Sequence, residues 1–242
     1  MKVAPITVFL FRDSEGFGTA ISEAFHLNPN NPSSLRSLEE PFELSLERYG
    51  IKDRVSGNIL HFVDHQGLHQ VSFLLIQHYE PPILACAVAE VLEQITREKS
   101  SPLPTIIAPF IVPSSKLKQN GKTLTKSENK IPVYGLQVGP VTDTTKALAA
   151  RVEEPSCSFQ VHHEPLACLL QLARISNLPT FLLIWEKGRR FSDKNAEELE
   201  IISEIGEILS STLNLCFSKE GIEWNPKGTS KNIVEPWRAL YG

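Results

Sequence analysis

Cysteine is scarce and unpatterned in this chain, with four in 242 residues at 86, 157, 168 and 216. The absence of any C-x-x-C pair or short regular spacing excludes a zinc ribbon and a disulfide-stapled scaffold, and predicts reduced thiols in a cytosolic or nuclear protein. Long hydrophobic runs are missing as well. The longest uninterrupted apolar stretch covers residues 83–89, far short of the roughly 20 residues a membrane-crossing helix needs. In the opening MKVAPITVFLFRDSEG, Pro5 interrupts the apolar run, and Arg12 and Asp13 stand where a cleavage site would be expected. The segment therefore reads as a first strand rather than a leader, and no membrane partner is expected. Excess positive charge is lacking too: the formal net charge is -4 and the pI is near 6.0. That removes the field on which phosphate-backbone binding depends, so no nucleic-acid partner is expected.

What is present is the composition of a folded protein, 41% hydrophobic and 21% charged, at a length that suits one substantial α/β domain. Residues 3–11 are β-branched and aromatic, and Gly16 and Gly18 lead from them into a helix over 19–25. The stretch 27–41, rich in Pro, Asn and Ser, reads as a surface loop. Two apolar-rich runs, 58–63 and 68–77, flank the turn signal Asp64-His65-Gln66-Gly67 and predict an antiparallel hairpin. After Pro81-Pro82, the spacing of Leu84, Val88, Val91, Leu92 and Ile95 predicts a helix covering a sheet.

The nearly continuous apolar run PTIIAPFIV at 104–112 predicts a central strand buried on both faces. Lysines 116, 118, 122, 126 and 130, without an apolar period, predict a solvated loop over 113–132. A short strand is expected at 133–138, helices at 142–151 and 166–175, and a buried strand at 179–185. A last helix over 195–213 is expected to be capped by Asp193, with Leu199, Ile202, Ile205, Leu209 and Leu213 on its buried face. The predicted fold is α/β: a largely parallel sheet sandwiched by helices, with an antiparallel hairpin as annex and a flexible C-terminal tail. Residues 1–218 would form the domain and 219–242 the tail.

Several constellations could carry chemistry. His61, His65 and His69 are spaced four apart, as divalent-ion ligands on a helix would be. The hairpin reading instead puts His65 in the turn and the other two on separate strands with diverging side chains, so no metal is expected. Gly16-Phe17-Gly18 resembles part of a phosphate loop, but position 21 is Ile and no Walker lysine follows, so turn formation is the better reading. Ser14 is not in a G-x-S-x-G elbow. Nothing in the sequence orients Cys157, His162, His163 and Glu164 into a catalytic set, and Glu164 suits a helix start. No catalytic residue and no cofactor are expected.

The chain closes on Leu240-Tyr241-Gly242: an apolar anchor, a stiff ring with a hydroxyl, and a carboxylate, which suit a pocket with a greasy wall and one cation. Over roughly residues 104–215 the sequence resembles the proteasome assembly chaperones, and within them the chaperone 1-like branch. The resemblance rests on PTIIAPFIV, the polar loop after it, LQVGPVTDTTKALAARVEEPS, the Leu/Ala helix after Pro165, NLP at 177–179 and FLLIW. Its end is similar to that family's hydrophobic-Tyr-X tail. The resemblance implies an α/β sandwich related in shape to nucleoside phosphorylases but without their activity. It implies a heterodimer with a second assembly chaperone, binding to proteasome α-subunits, and protein-binding roles for Leu240, Tyr241 and Gly242. One alternative is a phosphorylase-like small-molecule enzyme with an anion site at the 16–18 turn. Another is an interaction domain whose tail binds some other carboxylate-reading receptor.

Overall fold

The computed structural model describes residues 1–13, 15–27, 35–97, 102–118, 131–188 and 194–219. The strands are β1 (Ile6–Phe11), β2 (Phe25–His26), β3 (Arg36–Ser45), β4 (Arg54–Val63), β5 (His69–Ile76), β6 (Thr105–Pro113), β7 (Leu117–Lys118), β8 (Val133–Val138), β9 (Gln160–Val161), β10 (Thr180–Lys187) and β11 (Cys216–Phe217). The helices are α1 (Phe17–Ala24), α2 (Ile83–Thr96), α3 (Asp143–Ala149), α4 (Glu164–Ile175) and α5 (Lys194–Leu213).

Seven strands form one sheet in the order β3-β4-β5-β1-β6-β10-β8. Its four inner strands, β5, β1, β6 and β10, are mutually parallel, while β3, β4 and β8 join antiparallel at the two sides. The run PTIIAPFIV became central β6 because neighbouring side chains enter opposite layers. Ile106 packs with α2 and α4, whose Val88, Val91, Leu166 and Leu169 share its cluster. Ile107 packs with α1, α3 and α5 through Ile21, Leu148, Ile202 and Ile205. In β10, Leu182 and Leu183 divide in the same way. Each such burial contributes about 1.5–3 kcal/mol, and this two-sided cover makes the inner strands read as continuous apolar runs.

Four expectations need correction. The stretch 27–41 is not all loop, because β3 begins at Arg36 and pairs with β4 along its whole length. Its first six side chains, 36–41, are all exposed, so no apolar period marks the part that falls in this stretch, and as an edge strand it tolerates Pro41. The hairpin is no annex: β5 is the parallel neighbour of β1 inside the main sheet. The lysine-rich segment is anchored in the core at both ends by buried Leu117 and Ile131, and β7 pairs with β9. Leu199 is 43% exposed, and Ile201 takes its place on the buried face of α5. The proposed cap Asp193 lies outside the described residues, as does all of the tail from 220. Cys86, Cys157, Cys168 and Cys216 are free thiols. No helix among the described residues is long and apolar enough to cross a membrane.

Candidate functional site

From β1 the sheet extends to β5 on one side and to β6 on the other. Their carboxyl ends therefore diverge at a topological switch point, the place where open α/β sheets form their crevice. A cleft of about 400 Å³ lies there, with Phe11, Phe110 and Pro113 from the strand ends and Asp13, Lys116, His163 and Lys187 among its polar groups.

The turn after β1 is organised by Asp13. Its Oδ1 accepts hydrogen bonds from the amides of Glu15 (2.8 Å), Gly16 (2.6 Å) and Phe17 (3.2 Å), and its Oδ2 accepts from Gly18 (3.3 Å). The free amides at the start of α1 are thus satisfied by the chain's own carboxylate, in the position an anion would take. Gly16 has φ +84°. A Cβ on Gly18 would stand 2.1 Å from the carbonyl oxygen of Phe11, so the second glycine lets the helix start close against β1. Turn and packing account for both, as the sequence suggests.

Across the cleft, the ammonium of Lys187 at the end of β10 pairs with Glu15 and lies 3.4 Å from a carboxylate oxygen of Glu198 in α5. It also sits 5.1 Å from the centroid of the Phe17 ring. The amide of Gly188 donates to both carboxylate oxygens of Glu197, at 3.0 and 3.1 Å. The start of α5 therefore has acidic partners of its own, and the cation facing it is matched by carboxylates.

Burial, with Lys116 adding to it, pushes the His163 imidazole down to about 4. Its Nδ1 accepts from the Leu166 amide at 3.4 Å at the start of α4, so this ring is neutral near pH 7 and serves as a helix cap. His163 and Glu164 line the cleft, whereas Cys157 and His162 do not. Among the described lining residues there is no serine, threonine or cysteine to act as nucleophile. Sequence reasoning missed Asp13 and Lys187. An aspartate just ahead of a glycine-opened helix was the available signal for the first, whereas Lys187 meets Glu15 only through the fold.

His65 lies in the Asp64–Gly67 turn region, with His61 on β4 and His69 on β5, as expected. The side chains of His61 and His69 do not diverge, however. A register shift between Phe62 and Val63 sets His69 opposite Val63, and the two rings stack. No group of three or more metal-ligating side chains occurs among the described residues. Leu240, Tyr241 and Gly242 lie outside the described residues.

The model of a family described as Domain of unknown function (DUF7894) matches residues 1–242. No curated protein matches the chain. Among solved structures, Pyrococcus furiosus PbaB, an archaeal proteasome activator, is similar over 99% of this chain and 94% of its own, at 14% identity and a TM-score of 0.48. Pyrococcus furiosus PbaA, an archaeal homolog of proteasome-assembly chaperone, is similar over 91% of this chain and 86% of its own, at 16% identity and a TM-score of 0.46. A proteasome-assembly chaperone homologue from Mycobacterium tuberculosis covers 98% of this chain and 99% of its own, at 10% identity and a TM-score of 0.45. Likenesses at these identities and TM-scores carry neither a partner nor an activity to this chain.

Proposed function

This chain belongs to the DUF7894 family, and we propose that it is a non-enzymatic proteasome assembly chaperone, chaperone 1-like, acting in the cytosol or nucleus. It pairs with a second, related chaperone, and the pair binds the α-ring of the assembling core particle. The reading is supported by the resemblance over 104–215, whose quoted motifs fall on β6, β8, α3, α4 and β10. The observation that favours it over a phosphorylase-like enzyme is the Asp13 carboxylate. It accepts from four amides at the 16–18 turn, where the enzyme reading needs room for a substrate anion.

In the same proposal Leu240 packs into a pocket between α-subunits, Tyr241 stacks and hydrogen-bonds, and the carboxylate of Gly242 pairs with a pocket lysine. A flexible chain of about two dozen residues, the length from 219 to 242, would have a root-mean-square span of about 25–30 Å, enough for the domain to rest on the ring while the tip enters. The tip acts through effective concentration, so its loss weakens binding about a hundredfold without touching the fold.

The test is α-ring binding by the native chain, by Tyr241→Ala and by a chain with residues appended after Gly242. The two variants should bind more weakly with unchanged thermal unfolding. Native affinity in the appended variant overturns the carboxylate mechanism, and a native chain that ignores the α-ring and the second chaperone overturns the chaperone reading.

A further inference from the structure

The outer rim of β3 has a fixed hydrogen-bonding parity. The Gln77 amide donates to the Ser56 carbonyl at 3.1 Å, so the peptide groups of Ser56 and of every second residue after it on β4 point to β5, and those between point to β3. The register of β3 against β4 pairs Arg36 with Val63, Leu38 with His61 and Glu40 with Ile59. The peptide groups of 36, 38 and 40 are therefore engaged with β4, and those of 37, 39, 41 and 43 point outward. Pro41 lacks its N–H on that outer side, where an edge strand tolerates it.

The side chains beside this rim are open. All of 36–40 are exposed, and Leu38 is a large apolar side chain at 45% exposure. Because side chains alternate, Arg36, Leu38 and Glu40 stand on one face as a row of cation, apolar group and anion. On the other face Glu39 accepts from Asn58 Nδ2 at 2.7 Å, and Glu43 pairs with Arg54 at 2.9 Å. Neither Arg36 nor Glu40 has an ion pair among the described residues.

We propose that this rim pairs with the same rim of a second copy of the chain, antiparallel and centred on Leu38. Leu38 then meets Leu38 of the second copy, Arg36 lies opposite Glu40 and Glu40 opposite Arg36, so two ion pairs flank one apolar contact. Residues 37 and 39 exchange hydrogen bonds across the seam through their outward peptide groups. Other centres fit worse. Centring on 36, 39, 40 or 43 sets identical charges against each other. A centre at 41 or 42 brings the missing donor of Pro41 into the ladder, 37 leaves Arg36 opposite Leu38, and 44 or 45 runs off the end of the strand. With Leu38 at the centre, Pro41 falls just outside the paired residues. A ladder this short makes a small interface, so the pair is weak and forms at high concentration. The inference concerns two copies of this chain and stands apart from the proteasome reading.

Sedimentation equilibrium on the full-length protein tests it. The native chain should dimerise reversibly below about 1 mM. Arg36→Glu and Glu40→Arg each set like charges opposite one another and should each weaken the dimer about tenfold, while the chain carrying both should recover native dimerisation. These variants change only exposed side chains and should unfold at the native temperature. In a Cys157→Ser background, which removes the exposed native thiol, Leu38→Cys should cross-link to a second copy under oxidised glutathione, because Cα atoms of such a pair stand about 4.5 Å apart. A native chain that is monomeric throughout overturns the proposal. So does a dimer indifferent to both single reversals, a double variant that stays weak, or a Leu38→Cys chain that does not cross-link.

Discussion

The imidazole rings of His61 and His69 lie nearly face to face, with centroids 4.1 Å apart and planes 31° from parallel. His61 is fully buried, and its Nδ1 lies 2.8 Å from the hydroxyl of Ser72, which also accepts from the Ala4 amide at 2.9 Å. One small polar knot thus joins β4, β5 and the chain just before β1. Nε2 of His61 and Nδ1 of His69 are buried without a hydrogen-bond partner among the described residues. A charge on His61 would face the His69 ring with no carboxylate bonded to offset it, so burial favours the neutral form of His61.

Acid should therefore loosen this part of the fold. Burial, reinforced by His69, pushes the His61 imidazole down to about 4 from its ordinary 6.5. The unfolded chain binds a proton that the folded chain refuses, so the contribution is complete above pH 6.5 and is lost as pH falls from 6.5 to 4. The ceiling is about 3 kcal/mol. His163 titrates with the same sign. Urea midpoints across this range should fall with pH, and His61→Phe should flatten the slope. A slope unchanged in that variant would count against the buried imidazole.

The two glycines of the 16–18 turn should respond differently to substitution. Gly16 has a positive φ and open space where a Cβ would be, so Gly16→Asn should be close to neutral, because asparagine visits this region. Gly18→Ala would push a methyl group against the Phe11 carbonyl and should cost about 1–3 kcal/mol. Urea midpoints for the pair check the ranking.

Removing the carboxylate that fills the start of α1 should expose the amide cradle. Asp13→Ala is expected to lose about 1–2 kcal/mol. Adding phosphate at constant ionic strength should then raise the melting temperature of the variant and leave the native protein unaffected. A native protein stabilised by phosphate would contradict the filled cradle.

Lys187 should be coupled energetically to Glu198, since both are largely buried at 15% and 12% side-chain exposure. Lys187→Met should cost about 1–2 kcal/mol by leaving the carboxylate unmatched. Adding Glu198→Gln should recover part of the loss in a double-mutant cycle. Strictly additive effects would mean that the contact carries no stability.

What could be read in advance followed burial. β6 and β10 are covered on both faces and appear as apolar runs, while the stripe of α2 appears at helical spacing. β3 is hard to read because only Phe42 and Leu44 near its end pack against the core, while its first six residues, RSLEEP, are exposed and contain a proline. The His61–His69 stack depends on a register shift between Phe62 and Val63, which no local spacing encodes. The same holds for the cleft. The glycines and His163 stood out singly, but Lys187 reaches Glu15 only because β10 ends beside the turn that follows β1.

The two rims of the main sheet are unequal. Along β8 the Gly135 amide donates to the Glu153 carbonyl and the Glu153 amide donates to the Val133 carbonyl, so that rim is already engaged by the chain itself. Among the described residues β3 is the open rim, and Pro41 removes one donor from its row. Among the described residues, two molecules that joined the main sheet strand to strand through this open rim would use β3 on both sides, and each would thereby use up that rim. A β3-to-β3 contact of this kind is isologous, so it closes on itself as a pair with two-fold symmetry and does not itself offer a further edge of the same kind.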